Sequence, residues 1–283
     1  MSEREFIHKR DLPGIKSRYL LEWDGEPING AYIIEHTLIS NQSGSGFSIL
    51  LIPGIFDPVR GEYGPETIEA LLQNPDISTV YEPHFYFNDS CGLLDMDSIN
   101  ETLCLMFTKS NQPVLAIGLS GGCTAICSAL YELHHQGIKP ALRGALLIGP
   151  HLSDYPTFFI KAIRKLMFSE DMIAKVTQHA GHPNIPANVK KGEAWLAECP
   201  FTEAMGQLSL KQQRPGFPVK IETRYFRFDT LSKEGRKRLH WYFDCPKPKA
   251  TIPGHHRGLF RVLEAKQIIC DFCSENSSPL NDL

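Results

Sequence analysis

Apolar residues in this chain gather in short, almost unbroken runs, separated by stretches with helical spacing. Phe47-Ser-Ile-Leu-Leu-Ile52 is one such run. It stops at Pro53-Gly54 and has the texture of a strand covered on both faces. Upstream, Ala31-Tyr-Ile-Ile-Glu-His-Thr-Leu-Ile39 is rich in β-branched and aromatic residues and predicts another strand, with a turn at Gly44-Ser-Gly46 between the two. Residues 67–73 (TIEALLQ) predict a short helix, and 79–87 a strand whose middle is weakened by Pro83. Over 93–109, Ile99, Leu103, Met106 and Phe107 fall on one helical face.

Further on, Pro113-Val-Leu-Ala-Ile117 predicts a buried strand, and residues 123–131 a helix just after it. Ala145-Leu-Leu-Ile148 and residues 219–228 predict two more strands. A helix near 233–242, a short strand at 249–252 and a last helix over about 259–272 follow. The polar tail 274–283 is expected to fray.

Apolar strands alternating with helices imply an α/β fold: a mainly parallel central sheet with helices on both faces. In such sheets chemistry gathers at the carboxyl ends of the strands. Between Gly149 and Phe217 the texture changes. Phe158, Phe159, Ile160, Ile163, Leu166 and Met167 keep helical spacing there, while Pro183, Pro186, Pro200, Pro215 and Pro218 cut the segment into short pieces. Residues 1–150 and 216–283 therefore read as one core domain, and 151–215 as an insertion.

Length and composition narrow the class. A chain of 283 residues can bury a substantial core. Its 42% hydrophobic and 22% charged content is that of a soluble globular protein. A net charge of -3, without long runs of one sign, gives no reason to expect nucleic acid or an anionic membrane as partner. The charged start, Met1 to Arg10, lacks the apolar core of a signal peptide, and no stretch approaches a membrane span. A cytoplasmic location is the resulting expectation. Eight cysteines are too few for a disulfide scaffold. Cys270-Asp-Phe-Cys273 has C-x-x-C spacing but no second ligand pair, so free thiols packed in a helix are expected. His134-His135 should end a helix and complement its dipole. His179 and His182 read as surface residues. Neither a metal nor a cofactor is expected.

The candidate chemistry begins with Gly118-Leu-Ser-Gly-Gly122, which fits Gly-x-Ser-x-Gly between a strand and a helix. In that context the turn strains the serine outward, and small neighbours let strand and helix pack closely. A serine that merely caps the following helix is the alternative reading of Ser120. Asp229 follows the strand 219–228, and His255 follows the strand 249–252. Three chemically compatible groups thus stand at three strand ends.

On these motifs, over roughly residues 31–273, the chain resembles the α/β-hydrolase family. The order Ser…Asp…His is the family's own. The resemblance implies a helical cap formed by the insertion 151–215. It also implies a triad: Ser120 as nucleophile, His255 as base, Asp229 orienting the imidazole. His256 is the alternative base; Asp154, and more distantly Asp244, are alternative acids. For the oxyanion hole the resemblance implies the N–H of Gly121 and one from the loop after residue 52. Family members often carry His-Gly in that loop, where this chain has Pro53-Gly-Ile-Phe-Asp57. Proline has no N–H, so Ile55 is the expected donor and Phe56 the alternative.

The apolar cap suggests an apolar pocket lined by Phe56, Leu119, Phe158 and Phe159. The expected activity is serine hydrolysis of a carboxylic ester or related acyl bond, in a small molecule with an apolar acyl or alkyl part. A thioesterase, lactonase or C–C bond hydrolase would use the same residues. A non-catalytic ligand- or partner-binding relative is the alternative from another class.

Overall fold

The computed structural model describes residues 12–28, 31–40, 46–54, 63–85, 96–110, 112–150, 199, 201–202, 204, 219–226, 236–246, 251–252 and 262–277. The strands are β1 (Ile15–Leu20), β2 (Glu22–Trp23), β3 (Glu26–Pro27), β4 (Ala31–Leu38), β5 (Phe47–Ile52), β6 (Ile77–Phe85), β7 (Val114–Leu119), β8 (Leu142–Ile148), β9 (Lys220–Phe226) and β10 (Thr251–Ile252). The described helices are α1 (Gly64–Leu72), α2 (Met96–Thr108), α3 (Gly121–His135), α4 (Arg236–Tyr242) and α5 (Val262–Ser277).

Eight strands form one sheet in the order β1-β4-β6-β5-β7-β8-β9-β10, and β2 and β3 form a separate hairpin. Only β4 runs against the others: it pairs antiparallel with β1 and β6, and every other neighbouring pair is parallel.

The apolar runs are continuous because both faces of the sheet are covered. In β5, Leu50 and Ile52 pack into a cluster with Leu103, Phe107, Ile126 and Leu130 of α2 and α3. Ile49 and Leu51 point the other way, into a cluster with Ile68 and Leu71 of α1 and Ile269 and Phe272 of α5. The same division holds in β7, where Ala116 faces the first cluster and Leu115 and Ile117 the second. Such strands have no polar face to alternate with.

Several expectations are refined. Helix α1 begins at Gly64, ahead of Thr67, because Pro65 occupies its first turn, where the missing N–H breaks no helical bond. Strand β6 continues through Pro83, which pairs with Ile33 of β4. Pairing of β6 to β5 ends at Leu50↔Tyr81, so the proline falls where the sheet has opened on that side. Helix α5 extends five residues beyond 272, although the tail from 274 reads as frayed. Asn276 accounts for this: its Nδ2 donates to Phe272 O at 2.7 Å, and its Oδ1 accepts from Lys220 Nζ at 2.9 Å. Cys273 is buried in that helix and Cys270 half-buried, both as free thiols. Among the described residues no helix is long and apolar enough to cross a membrane.

The strand order creates one special place. From β5 the chain passes to β6 on one side, then returns to β7 on the other. In sheets of this kind such a reversal, at the carboxyl ends of the strands, is where ligands bind.

Candidate active site

Strand β7 delivers Ser120 to that reversal point, and α3 begins at the next residue. Residues 114–119 are all buried, whereas Ser120 is half-exposed. Its backbone sits at φ 50°, ψ −115°, a conformation L-residues avoid. The other described non-glycine residues with positive φ are Asp24 and Asp244, of a type that tolerates left-handed turns. The Ser120 side chain makes no capping hydrogen bond to α3, so the capping reading does not describe it.

The two glycines of the motif have identifiable steric duties. A Cβ on Gly118 would stand 2.6 Å from Ile126 Cδ1 and 3.0 Å from the Cα and N of Cys123. A Cβ on Gly122 would press on Pro53 O and lie 2.6 Å from Ile52 O. Gly118 thus lets α3 fold back on its own strand, and Gly122 lets α3 approach the end of β5.

Hydrogen bonds fix the turn from three sides. Ser120 N–H donates to Ile148 O of β8 at 3.0 Å, and Cys123 N–H donates to Ser120 O at 3.1 Å. The buried Cys123 thiol lies 3.1 Å from Gly118 O and 3.3 Å from Ile148 O, a donor shared between β7 and β8. The Tyr63 hydroxyl lies 2.9 Å from both Ile52 O and Ile117 O. Tyr63 is 3% exposed and precedes α1, so it staples the ends of β5 and β7 together. Sequence reasoning singled out neither Tyr63 nor Cys123. For Cys123 the only signal was its place one residue past the motif.

Gly121 is the first residue of α3. Its N–H is among the first four of the helix, which lack intrahelical acceptors, at the positive end of the helix dipole. Such an N–H at the residue after a nucleophile suits a developing oxyanion. Leu119 is buried, with its side chain in the cluster shared with α1 and α5. Asp244 is exposed in the turn after α4. His134 and His135 occupy the last turn of α3, as expected.

Asp154, Asp229, His255, His256, Ile55, Phe56, Phe158, Phe159, His179 and His182 lie outside the described residues, as does nearly all of the insertion 151–215. The strands leading to the first four, and to Ile55 and Phe56, are described. Register runs level across the sheet: Leu119↔Ile148, Ile148↔Arg224, and Phe226↔Ile252 two residues on. The chain therefore leaves β5, β7, β8, β9 and β10 at one edge, the edge that carries Ser120.

Solved structures similar to this chain share the architecture. Brefeldin A esterase, a bacterial homologue of human hormone-sensitive lipase, is 13% identical with a TM-score of 0.57, over 93% of this chain and 77% of that one. A thermostable esterase from Pseudomonas putida ECU1011 is 15% identical with a TM-score of 0.54, over 95% and 86%. A hyperthermophilic esterase from the archaeon Pyrobaculum calidifontis is 12% identical with a TM-score of 0.52, over 92% and 83%. No family model matches the sequence, and no curated protein matches it. At these identities the likeness defines the fold: the chain has the α/β-hydrolase fold.

Proposed function

We propose that this protein is a serine hydrolase that cleaves a carboxylic ester, or a related acyl bond, in a largely apolar small molecule through an acyl-enzyme. The observation that carries the reading is Ser120 itself: a half-buried serine in a strained conformation, at the sheet's reversal point, beside the amino end of α3. Strain of this kind persists only where the surrounding structure enforces it, and it gathers at functional sites.

In this reading the Ser120 hydroxyl attacks the acyl carbon and passes its proton to His255, which returns it to the leaving group. Asp229 holds the imidazole and stabilises its charged form. Support comes from where their loops begin. Strand β9 lies two strands from β7 and β10 three, about 10 Å and about 15 Å across the sheet. Loops of ordinary length can bring Asp229 and His255 back over Ser120 from there. The N–H groups of Gly121 and Ile55 take up the oxyanion charge. The insertion 151–215 covers the pocket, with Phe158 and Phe159 against the apolar part of the substrate.

The test is steady-state turnover of p-nitrophenyl esters. Ser120→Ala should lose at least about a thousandfold in kcat while its urea melt stays cooperative. Asp229→Asn and His255→Gln should fall steeply as well. Multiple turnover persisting in Ser120→Ala would refute the nucleophile. Full activity in His255→Gln with loss in His256→Gln would move the base by one residue.

A further inference from the structure

A second hydroxyl–imidazole–carboxylate chain lies on the far wing of the sheet. Ser17 of β1 faces His36 of β4 directly across the antiparallel pair. Ser17 Oγ is 2.8 Å from His36 Nδ1, and His36 Nε2 is 3.0 Å from Glu82 Oε2 of β6. The His36 and Glu82 side chains are 3% and 5% exposed, whereas Ser17 is exposed. Four strand spacings separate β1 from β7, on the order of 20 Å, so this group is independent of Ser120.

The chemistry follows from the donor inventory. An ionised carboxylate can only accept, so with Glu82 charged the His36 Nε2 carries the proton it donates. In the neutral ring Nδ1 then holds the lone pair, and the Ser17 hydroxyl donates to it. That is the tautomer a general base needs, held by a buried acid behind it. The neighbouring Arg18 does not disturb it: its guanidinium pairs with Glu35, which points to the opposite face of β4.

We propose that Ser17 is a second, surface-exposed serine nucleophile, activated through His36 and Glu82 toward activated acyl and phosphonyl compounds. With an aryl ester, Ser17 Oγ bonds to the acyl carbon and its proton passes to His36 Nδ1. The carbon–aryloxide bond breaks, and the aryloxide takes that proton and leaves as the phenol. The products are acyl-Ser17 and one phenol. With a fluorophosphonate the phosphorus–fluorine bond breaks instead, and fluoride leaves with the proton.

The experiment uses the full chain carrying Ser120→Ala, an alkyl fluorophosphonate, and peptide mapping by mass spectrometry. Ser40, exposed at the end of β4's turn, serves as an internal reference. A positioned general base contributes about a hundredfold or more, so Ser17 should be modified at least about a hundred times faster than Ser40. The ratio should collapse to parity in denaturing urea, where the relay does not exist, and in any His36→Gln variant that circular dichroism shows to be folded. Parity between Ser17 and Ser40 in the folded Ser120→Ala chain overturns the proposal. So does an unchanged ratio in folded His36→Gln. Both readouts are independent of whether Ser120 is catalytic, because Ser120 is absent throughout.

Discussion

The strain at Ser120 has a thermodynamic consequence that can be measured without any substrate. At φ 50°, ψ −115°, a residue with a Cβ sits in a region costing about 1–3 kcal/mol. Ser120→Ala keeps the Cβ and therefore the strain. It removes no helix-capping bond, because the serine makes none. Ser120→Gly removes the Cβ and with it the steric penalty. Against this stands the greater freedom of glycine in the unfolded chain, which costs about 0.4–1 kcal/mol. Mid-range values, about 2 and about 0.7 kcal/mol, leave Ser120→Gly about 1.3 kcal/mol more stable than Ser120→Ala. For a chain of this size that is a rise of about 2–6 °C in Tm.

Urea melts of both variants measure it, with the same two substitutions at Glu69 as control. Glu69 is exposed inside α1, where ordinary helix propensity puts alanine about 1 kcal/mol above glycine. The order of Ala and Gly should therefore invert between position 69 and position 120. If alanine is as stable as glycine at position 120, the elbow is unstrained, and the main support for Ser120 as nucleophile is gone.

Other outcomes follow from the same geometry. Gly122→Ala should destabilise by about 2–3 kcal/mol in urea, since its Cβ would meet the backbone oxygens of Ile52 and Pro53, which cannot rotate away. Gly144→Ala should stay within about 1 kcal/mol of the parent, because its nearest neighbours would be Lys220 O at 3.3 Å and the movable Leu115 Cδ2 at 3.4 Å. Tyr63→Phe leaves two strand-end carbonyls without that donor and should cost about 1–3 kcal/mol, read from the urea midpoint, together with a loss of kcat exceeding any change in KM. Burial pushes the thiols of Cys104 and Cys245 up to about 12. The folded chain then holds these protons where the unfolded chain, with thiols ionising near about 8.5, releases them. Their stabilising contribution is complete below the unfolded value and is lost as pH rises toward 12, so the urea midpoint should fall between pH 8 and pH 11. A midpoint that rises over that interval would contradict the burial of both thiols.

What the sequence made legible, and what it did not, divides along a physical line. Strands β5, β7 and β8 announced themselves because burial on both faces leaves no polar alternation to blur them. Strand β1, IKSRYL, passed unnoticed because it is an edge strand whose residues are mostly exposed, so its pattern is that of a polar loop. The two-residue strands of the β2–β3 hairpin are too short for any period to show. At the site, the glycines of Gly118–Gly122 were legible because their duty is local: a turn from strand to helix that leaves no room for Cβ. Tyr63 and Cys123 were not, because their acceptors are carbonyls on two different strands. Those carbonyls come within reach only once β5, β7 and β8 are in register. The Ser17–His36–Glu82 chain makes the same point more sharply. Its members are separated by 19 and 46 residues and meet only because β4 lies between β1 and β6. A pentapeptide can therefore mark where a nucleophile stands, while the groups that hold or activate a nucleophile are properties of strand order, which no window along the chain contains.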